Sequence, residues 1–592
     1  TLFRSNLDFI LKEVFDIASL CKHPRYADYT PDMFDMVLDS ADAIAEKYLR
    51  PIYVDSDRKA AELVDGVVQV HPGIEPYMKE MGESGMIGCT FDFEHGGQQL
   101  PSMIGGAHEF IRGAAHNSAV MFTGLSHGAA HLIASFGSKE LADTYVPNML
   151  SGKWAGTMCL TEPQAGSSLN DASTSAKDLG DGTYAIKGQK IFISGGDNHF
   201  SENIIHLVLA RLEGAPAGTK GISLFVVPKK RIENGTLVNN EVVSLGVYHK
   251  MGQKATPALH LSFGDKGNSI GYLVGEPNKG LSYMFQMMNE ARLGVGMGGA
   301  YIASAAYHAS KQYAEERAQG RLLTNKDPNT PPTLIKNHPD VQRMLYFQKA
   351  IVEGSMGLLF QCFMWDDLAK SLEGEEKKEA QMMLDLMTTV AKTYPAEMGT
   401  LAVNQGLQVL GGYGYTEDFP LEQMARDVRI MSIYEGTTGI HGLTLLGRGI
   451  PANNGAALQV LGKLVYADIA VAKSHESITK YAAMLEKELE NLTKVTMHKL
   501  GFAMKGEIEV FLADSTLYME LFGLITVAWQ WLKQGHVAAA ALAKGGLSAE
   551  DEAFYKDKIH TMKFFYHYEV PKALGLSKRL MDEEVLTIFD HK

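Results

Sequence analysis

The chain has 592 residues, too many for one hydrophobic core, so two to four domains are expected. Hydrophobic content of 45% and charged content of 21% describe an ordinary globular protein. A net charge of −14 argues against a general nucleic-acid binder, which needs a basic field to meet phosphate.

The N-terminal segment, Thr1-Leu-Phe-Arg-Ser-Asn-Leu-Asp8, carries charges where a signal peptide needs an unbroken apolar stretch, and it starts without an initiator Met, as expected if a residue or more has been removed. Residues 1–154 read as an N-terminal helical domain, since the stretches starting at Asn6 and at Pro31 place apolar residues at three- and four-residue steps. Pro31 suits a first helical turn. The period then changes. Leu259, Leu261 and Phe263 alternate with polar residues, Ile222 to Val227 is a buried-strand run ending at Pro228, and Asp181-Gly182 is a hairpin signal. Residues 155–275 are therefore expected to form a small all-β domain.

Helical pattern resumes near Lys279, with long amphipathic stretches over 282–317 and 381–410. Arg448 to Gly455 is a breaker cluster, which sets a third domain at 276–450 and a further helical domain at 451–592. No unbroken apolar run reaches a membrane span. The order helical, β, helical, helical lacks βαβ alternation, so no Rossmann domain is predicted. Four dispersed cysteines without C-x-x-C, and 20 histidines without H-E-x-x-H, predict a reducing, cytoplasmic setting with no disulfide framework and no metal site.

Six features bear on the chemistry. Gly294-Val-Gly-Met-Gly-Gly299 matches G-x-G-x-x-G but lies inside a helical pattern, so it reads as close helix packing rather than a nicotinamide site. Cys159-Leu-Thr-Glu-Pro-Gln-Ala-Gly-Ser-Ser168 is a polar turn whose N–H groups, around Gly166 and Ser167, could equally cradle a pyrophosphate. Lys190-Ile-Phe-Ile-Ser-Gly-Gly-Asp197 ends a strand in a glycine loop, where Phe192 is either core or the wall of a flat ring, with Ser194 as a hydroxyl partner. Gln408-Val-Leu-Gly-Gly-Tyr-Gly-Tyr415 follows a helix that Gly411 or Gly412 would cap. Arg317 and Arg321 are either solvated cations at a helix end or grips for phosphate. Ile430-Met-Ser-Ile-Tyr-Glu-Gly-Thr-Thr438 sets Glu435 before an apolar helix, as a simple cap or as a base beside preset N–H donors.

Taken in order over roughly residues 30–450, the Leu-Thr-Glu-Pro loop, the Lys-x-Phe-Ile-Ser strand, the helix arginine, the Gln-x-x-Gly-Gly-Tyr-Gly turn and the Tyr-Glu-Gly-Thr closure resemble the acyl-CoA dehydrogenase family. The resemblance implies an α+β, mainly α, multidomain fold: an N-terminal helical domain, a central β-barrel, a C-terminal four-helix bundle, and here an extra C-terminal helical domain. It implies FAD, held by Leu160, Thr161, Gly166, Ser167, Phe192 and Ser194, with Arg317, Gln408 and Gly412 contributed from a neighbouring subunit. Phe192 stands where the family has tryptophan, Ser194 where it has threonine, and Gly439 where many members have glutamine, which leaves Thr437 and Gly439 as weak cofactor candidates. Acyl-CoA would contact Ser167, Arg292, Tyr434, Glu435 and Gly436.

Glu435 matches the family's base, which takes the α-proton while flavin N5 takes the β-hydride, giving a trans-2-enoyl-CoA. The long form with a C-terminal extension is similar to bacterial members acting on 3-(methylthio)propanoyl-CoA in dimethylsulfoniopropionate breakdown. Medium- or long-chain fatty acyl-CoA dehydrogenation, acyl-CoA oxidation by oxygen, and a non-enzymatic nucleic-acid-associated or assembly role are the alternatives. An electron-transfer flavoprotein is the expected acceptor, and a homodimer the expected assembly, with a tetramer as the alternative.

Overall fold

The computed structural model describes residues 3–325 and 327–588. The chain forms two compact units, one of Thr1–Met33 with Arg292–Lys592 and one of Phe34–Ala291. The first 33 residues belong with the C-terminal half because their side chains are used there. Tyr26 Oη donates to Asp367 Oδ1 at 2.8 Å in a fully buried setting, and Asn6 accepts from buried Lys558.

The helix Pro31–Ile44 leads into the Phe34–Ala291 unit, with Pro31 at the first helical position as expected, and helices such as Ser102–Ala115 and Val120–Phe136 precede the main run of strands. One element was not anticipated: strands β1 (Glu62–Val64) and β2 (Val67–Gln69) form a hairpin around Asp65-Gly66. Both turn residues have positive φ, 49° and 79°, the conformation that favours Asp-Gly in two-residue hairpins.

The strand-rich region runs through β3 (Trp154–Cys159), β4 (Ser175–Asp178), β5 (Tyr184–Ser194), β6 (Asn203–Leu212), β7 (Ile222–Pro228), β8 (Lys230–Glu233), β9 (Thr236–Asn239), β10 (Val242–Val247), β11 (Ala258–Phe263) and β12 (Ser269–Val274). β8 and β9 pair apart from the others, which form one sheet ordered β10-β11-β5-β12-β7-β6-β3, with β4 joined to both β5 and β6. β5, β12, β7, β6 and β4 are thus hydrogen-bonded edge to edge in a ring. Every residue of β7 is buried, as the unbroken apolar run requires. β6 is buried on both faces for most of its length, so it presents no solvent face over that stretch.

The other unit is helical, with long helices Gly280–Glu316 (entered from the β-rich unit), Pro339–Ser371 and Gly374–Leu410. The G-x-G-x-x-G segment lies inside the first of these. A Cβ on Gly296 would come within 2.1 Å of the Ala391 carbonyl oxygen and one on Gly299 within 2.4 Å of that of Pro395. Close helix packing is therefore what these glycines do. Pro395 has no N–H to give the Ala391 carbonyl, so the wall met by Gly296 is a carbonyl without its intrahelical donor.

At the breaker cluster Asn453, Asn454 and Gly455 take positive φ in succession, ending one helix before the C-terminal set begins. The expectation of no span-length apolar segment is corrected. Ala452–Ala472 and Ile508–Lys544 are long and apolar enough to cross a membrane by length and composition, with mean hydropathy 1.4 and 1.5. Scattered polar residues break the uninterrupted run but leave the average high. The second segment carries Trp529 and Trp531 into the protein core, which accounts for its apolar character without a bilayer.

Candidate active site

Glu435 lies on a turn between the Arg429–Ser432 3-10 turn and the Thr438–Thr444 helix. The cap of that helix is Thr437, whose Oγ1 accepts from the Ile440 N–H at 3.4 Å. Glu435 is two residues outside it, which removes the simple capping reading. No hydrogen bond reaches the Glu435 carboxylate or leaves its N–H among the described residues. Its backbone is left-handed, φ 54°, and Gly436 follows at φ 89°. A non-glycine residue pays roughly 1–2 kcal/mol for that region, so surrounding contacts must enforce it.

Two buried side chains supply those contacts. His441 Nε2 donates to the Glu435 carbonyl at 3.0 Å, and Lys392 Nζ donates to the Gly436 carbonyl at 2.8 Å. Both residues have no measurable exposure. A Cβ on Gly436 would lie 2.8 Å from His441 Nε2, so the imidazole fits only against glycine. Burial, with the nearby Arg292 and Lys392 charges, pushes His441 down to about 3. The ring is therefore neutral, with its proton on Nε2 and Nδ1 left without a partner.

Burial pushes the Glu435 carboxyl up from its ordinary value, while the positive charges of Arg292 and Lys392 pull it back. Lys392 itself is lowered to about 8, by burial first. Arg292 is buried, makes no hydrogen bond among the described residues, and is held below its ordinary value by burial. The glycine contacts explain how these charges converge. Gly296 is one turn after Arg292 and touches Ala391, the residue before Lys392, so the close helix approach carries both cations to the same turn. Gly298, in turn, packs on Met431, whose sulfur accepts from Tyr434 Oη at 3.1 Å.

A second set of predicted residues gathers on the β-rich unit. Lys190 Nζ donates to the Leu160 carbonyl at 3.0 Å and to Glu162 Oε1 at 2.9 Å, and the Ile191 N–H to the Thr161 carbonyl at 2.9 Å. These bonds bind the Leu160–Thr161 segment to β5. Burial opposes an ionised Glu162, but Lys190, with bonds from Thr174 and Ser173, more than offsets it and holds the carboxyl at about 2. In the β5–β11 ladder Leu259 faces Ile193 and Leu261 faces Lys190, so Ile191 and Phe192 together oppose His260. This bulge, with Phe192 at φ 58°, turns the phenyl ring outward, 58% exposed and 4.6 Å from the Tyr248 ring. Ser194 is half-buried at the end of the strand.

Gly166 and Ser167 are exposed, and among the described residues the N–H groups of 166–168 and both serine hydroxyls form no hydrogen bond. An outward aromatic face on β5 and a run of unspent donors in the loop that β5 binds through Thr161 suit a flat ring joined to a pyrophosphate. A flavin dinucleotide is that kind of group.

The remaining predicted residues lie at one end of the Gly280–Glu316 and Gly374–Leu410 helices. Arg317, Gln408 and Gly412 are exposed there, and Tyr313 touches Tyr413 edge-on. Gly411 caps its helix with φ 60° and ψ −133°, a conformation open to glycine but not of the left-handed helical type expected. Arg321 is spent on its own loop, donating to the Thr330 and Pro328 carbonyls. Two clefts of about 310 and 330 Å³, beside Phe347 and Tyr346, include none of the predicted site residues.

Comparison with known proteins matches the chain to the family descriptions "Acyl-CoA dehydrogenase, N-terminal domain" over residues 32–153, "middle domain" over 157–265 and "C-terminal domain" over 337–450. Residues 461–588 match "Acetyl-CoA dehydrogenase C-terminal like". A 3-methylmercaptopropionyl-CoA dehydrogenase of Ruegeria pomeroyi is 34% identical, covering 93% of each chain.

The chain belongs to the acyl-CoA dehydrogenase family.

A butyryl-CoA dehydrogenase of Syntrophomonas wolfei is 32% identical over 97% of this chain and 96% of its own. Among solved structures, a Bacillus anthracis acyl-CoA dehydrogenase complexed with FAD shares the fold, with TM-score 0.71, 20% identity, and coverage of 93% of this chain and 89% of that one. The chain is accordingly an oxidoreductase acting on acyl-CoA, and flavin is the cofactor expected of this acyl-CoA dehydrogenase. Two residues that hold the Glu435 turn escaped the sequence reading. Lys392 left a signal, a lone charge in the otherwise uncharged run Leu386 to Ala396, whereas His441 left none.

Proposed function

We propose that this acyl-CoA dehydrogenase carries out α,β-dehydrogenation of a short acyl-CoA thioester, with 3-(methylthio)propanoyl-CoA as substrate and Glu435 as base. The observation that carries the chemistry is a left-handed Glu435 whose carboxylate and N–H are both unspent. The likeness to the Ruegeria and Syntrophomonas enzymes, whose names specify short acyl groups, supports the substrate class.

A proton α to a thioester carbonyl is too weakly acidic for a solvated glutamate of pKa about 4.3. Burial raises Glu435 toward the pH at which it must act, which strengthens it as a base. Its own N–H donates to the thioester oxygen as negative charge develops there, a role worth about 3–4 kcal/mol for one well-placed donor. Leu160, Thr161, Gly166, Ser167, Phe192 and Ser194 would hold FAD, with Arg317, Gln408 and Gly412 serving the FAD of a partner subunit in a homodimer. Bound flavin supplies the two-electron acceptor for the β-hydrogen. An electron-transfer flavoprotein is the proposed onward acceptor. We read the strand ring as the family's β-barrel and the helices over 280–450 as its bundle.

The test is an anaerobic flavin-reduction panel with 3-(methylthio)propanoyl-, butanoyl- and octanoyl-CoA. The thioether substrate is expected to bleach the flavin fastest. Bleaching by the straight chains alone would overturn the substrate, and bleaching by none would overturn the reaction class.

A further inference from the structure

The turn that presents Glu435 is strained, and its strain is held by two side chains that no family motif singles out. Lys392 is the more telling. An ammonium buried without exposure is expensive, and here, among the described residues, it makes one hydrogen bond, to the Gly436 carbonyl. A neutral donor would hold that carbonyl at less cost. Only a cation also acts on the carboxylate of the residue before it. His441 completes the pair by holding the preceding carbonyl, that of Glu435 itself.

We propose that Lys392 and His441 are positioning residues for the base: by donating to two successive carbonyls they lock the left-handed turn and so fix where the Glu435 carboxylate and N–H point. The inference rests on the reading of Glu435 as the base. Neither side chain needs to touch substrate. His441 holds the 435–436 peptide and Lys392 the 436–437 peptide, so loss of either anchor frees the left-handed backbone of Glu435 and with it the direction of its carboxylate and N–H. A misplacement of about 1 Å can cost on the order of 100-fold in rate.

The charged and titratable groups around the turn are Arg292 from the Gly280–Glu316 helix, Lys392 and Glu397 from the Gly374–Leu410 helix, and His441 from the helix that follows. Thr438 Oγ1 engages Glu397, so this carboxylate is tied to the turn's far side. Of these, Arg292 and Lys392 act on Glu435 to favour its ionised form, and neutral His441 contributes no charge. The two anchors can therefore be separated by pH. Loss of Lys392 removes both a hydrogen bond and a charge, whereas loss of His441 removes a hydrogen bond alone.

The experiment compares flavin-loaded Lys392→Met, Lys392→Arg, His441→Leu, His441→Gln and Glu435→Gln, using the acyl-CoA that reduces the flavin fastest in the panel. It measures kcat and KM against pH, deuterium wash-in at the acyl α-carbon, flavin content and melting temperature. Lys392→Met is expected to lose on the order of 10–100-fold in kcat with KM little changed. Its acid limb of kcat/KM should move to higher pH, while Lys392→Arg leaves that limb in place. His441→Gln, which keeps a donor, should recover most of what His441→Leu loses, with no movement of the limb.

Wild-type kcat and an unmoved limb in Lys392→Met, alongside an inactive Glu435→Gln, would overturn the inference and leave the base intact. A loss that only tracks flavin content or melting temperature would also overturn it. Near-normal wash-in by Glu435→Gln would instead overturn the base, and this inference with it. If Lys392→Met does not fold, the His441 pair carries the comparison: equal rates in His441→Leu and wild type would overturn it.

Discussion

A carboxylate that removes protons must be raised toward working pH without losing its charge altogether. Glu435, the proposed base, is pushed up by burial and pulled back by the charges of Arg292 and Lys392, which suits both demands. Replacement by glutamine keeps the shape and the backbone N–H but removes the basic oxygen. Glu435→Gln is therefore expected to retain fold and flavin and to lose about 10²–10⁴-fold in turnover, measured by anaerobic flavin reduction and by α-deuterium wash-in. Near-normal turnover would show that another group is the base. The segment around Glu435 was legible in the sequence because it closes an ordered series of four other motifs. Its left-handed backbone was not, since Glu is an uncommon residue at positive φ and only the folded neighbours Lys392 and His441 enforce it.

Between elements, the decisive contact is the glycine-lined approach of the Gly280–Glu316 and Gly374–Leu410 helices. A methyl group on Gly296 would meet a main-chain carbonyl at 2.1 Å, and backbone cannot step aside as a flexible side chain can. Gly296→Ala should therefore destabilise by about 1–3 kcal/mol by overpacking, despite alanine's better helix propensity, and should lower activity further by parting Arg292 from the Glu435 turn. Urea unfolding checks the first effect, and parity with wild type would refute the close approach. At this scale the sequence was informative where period and turn chemistry agreed, as in β7 and the Asp181-Gly182 turn. It was silent on the bulge at Phe192, because a bulge depends on the partner strand's register and not on β5 itself. The Asp65-Gly66 hairpin carried its own signal but was masked by helical segments on either side.

Across the whole molecule, acid should act through histidines before it acts through carboxylates. Burial is the leading cause that holds His116, His206 and His441 at about 3 and His308 at about 4, and His108 lies well below its ordinary value for the same reason. Below the unfolded value of about 6.5 the unfolded chain binds protons at these sites and the folded chain does not, so stability rises with pH across that window. It is complete above about 6.5 and is lost as pH falls toward 4 and 3, by about 1.4 kcal/mol per pH unit for each such histidine. Melting temperature measured from pH 7 to pH 4 should fall steadily, and a flat profile would contradict neutral burial of these rings. The left-handed turn has a further consequence for selection. Eleven described non-glycine residues have positive φ, and the two that were predicted to meet flavin and substrate, Phe192 and Glu435, are among them. Glycine would relieve roughly 1–2 kcal/mol of backbone strain at Glu435, less part of that returned as unfolded-chain entropy, and would spare a buried carboxyl. Glu435→Gly should accordingly melt above Glu435→Gln in calorimetry. Breeding this chain for heat resistance alone would favour such a change, and the hardiest descendants would be inert.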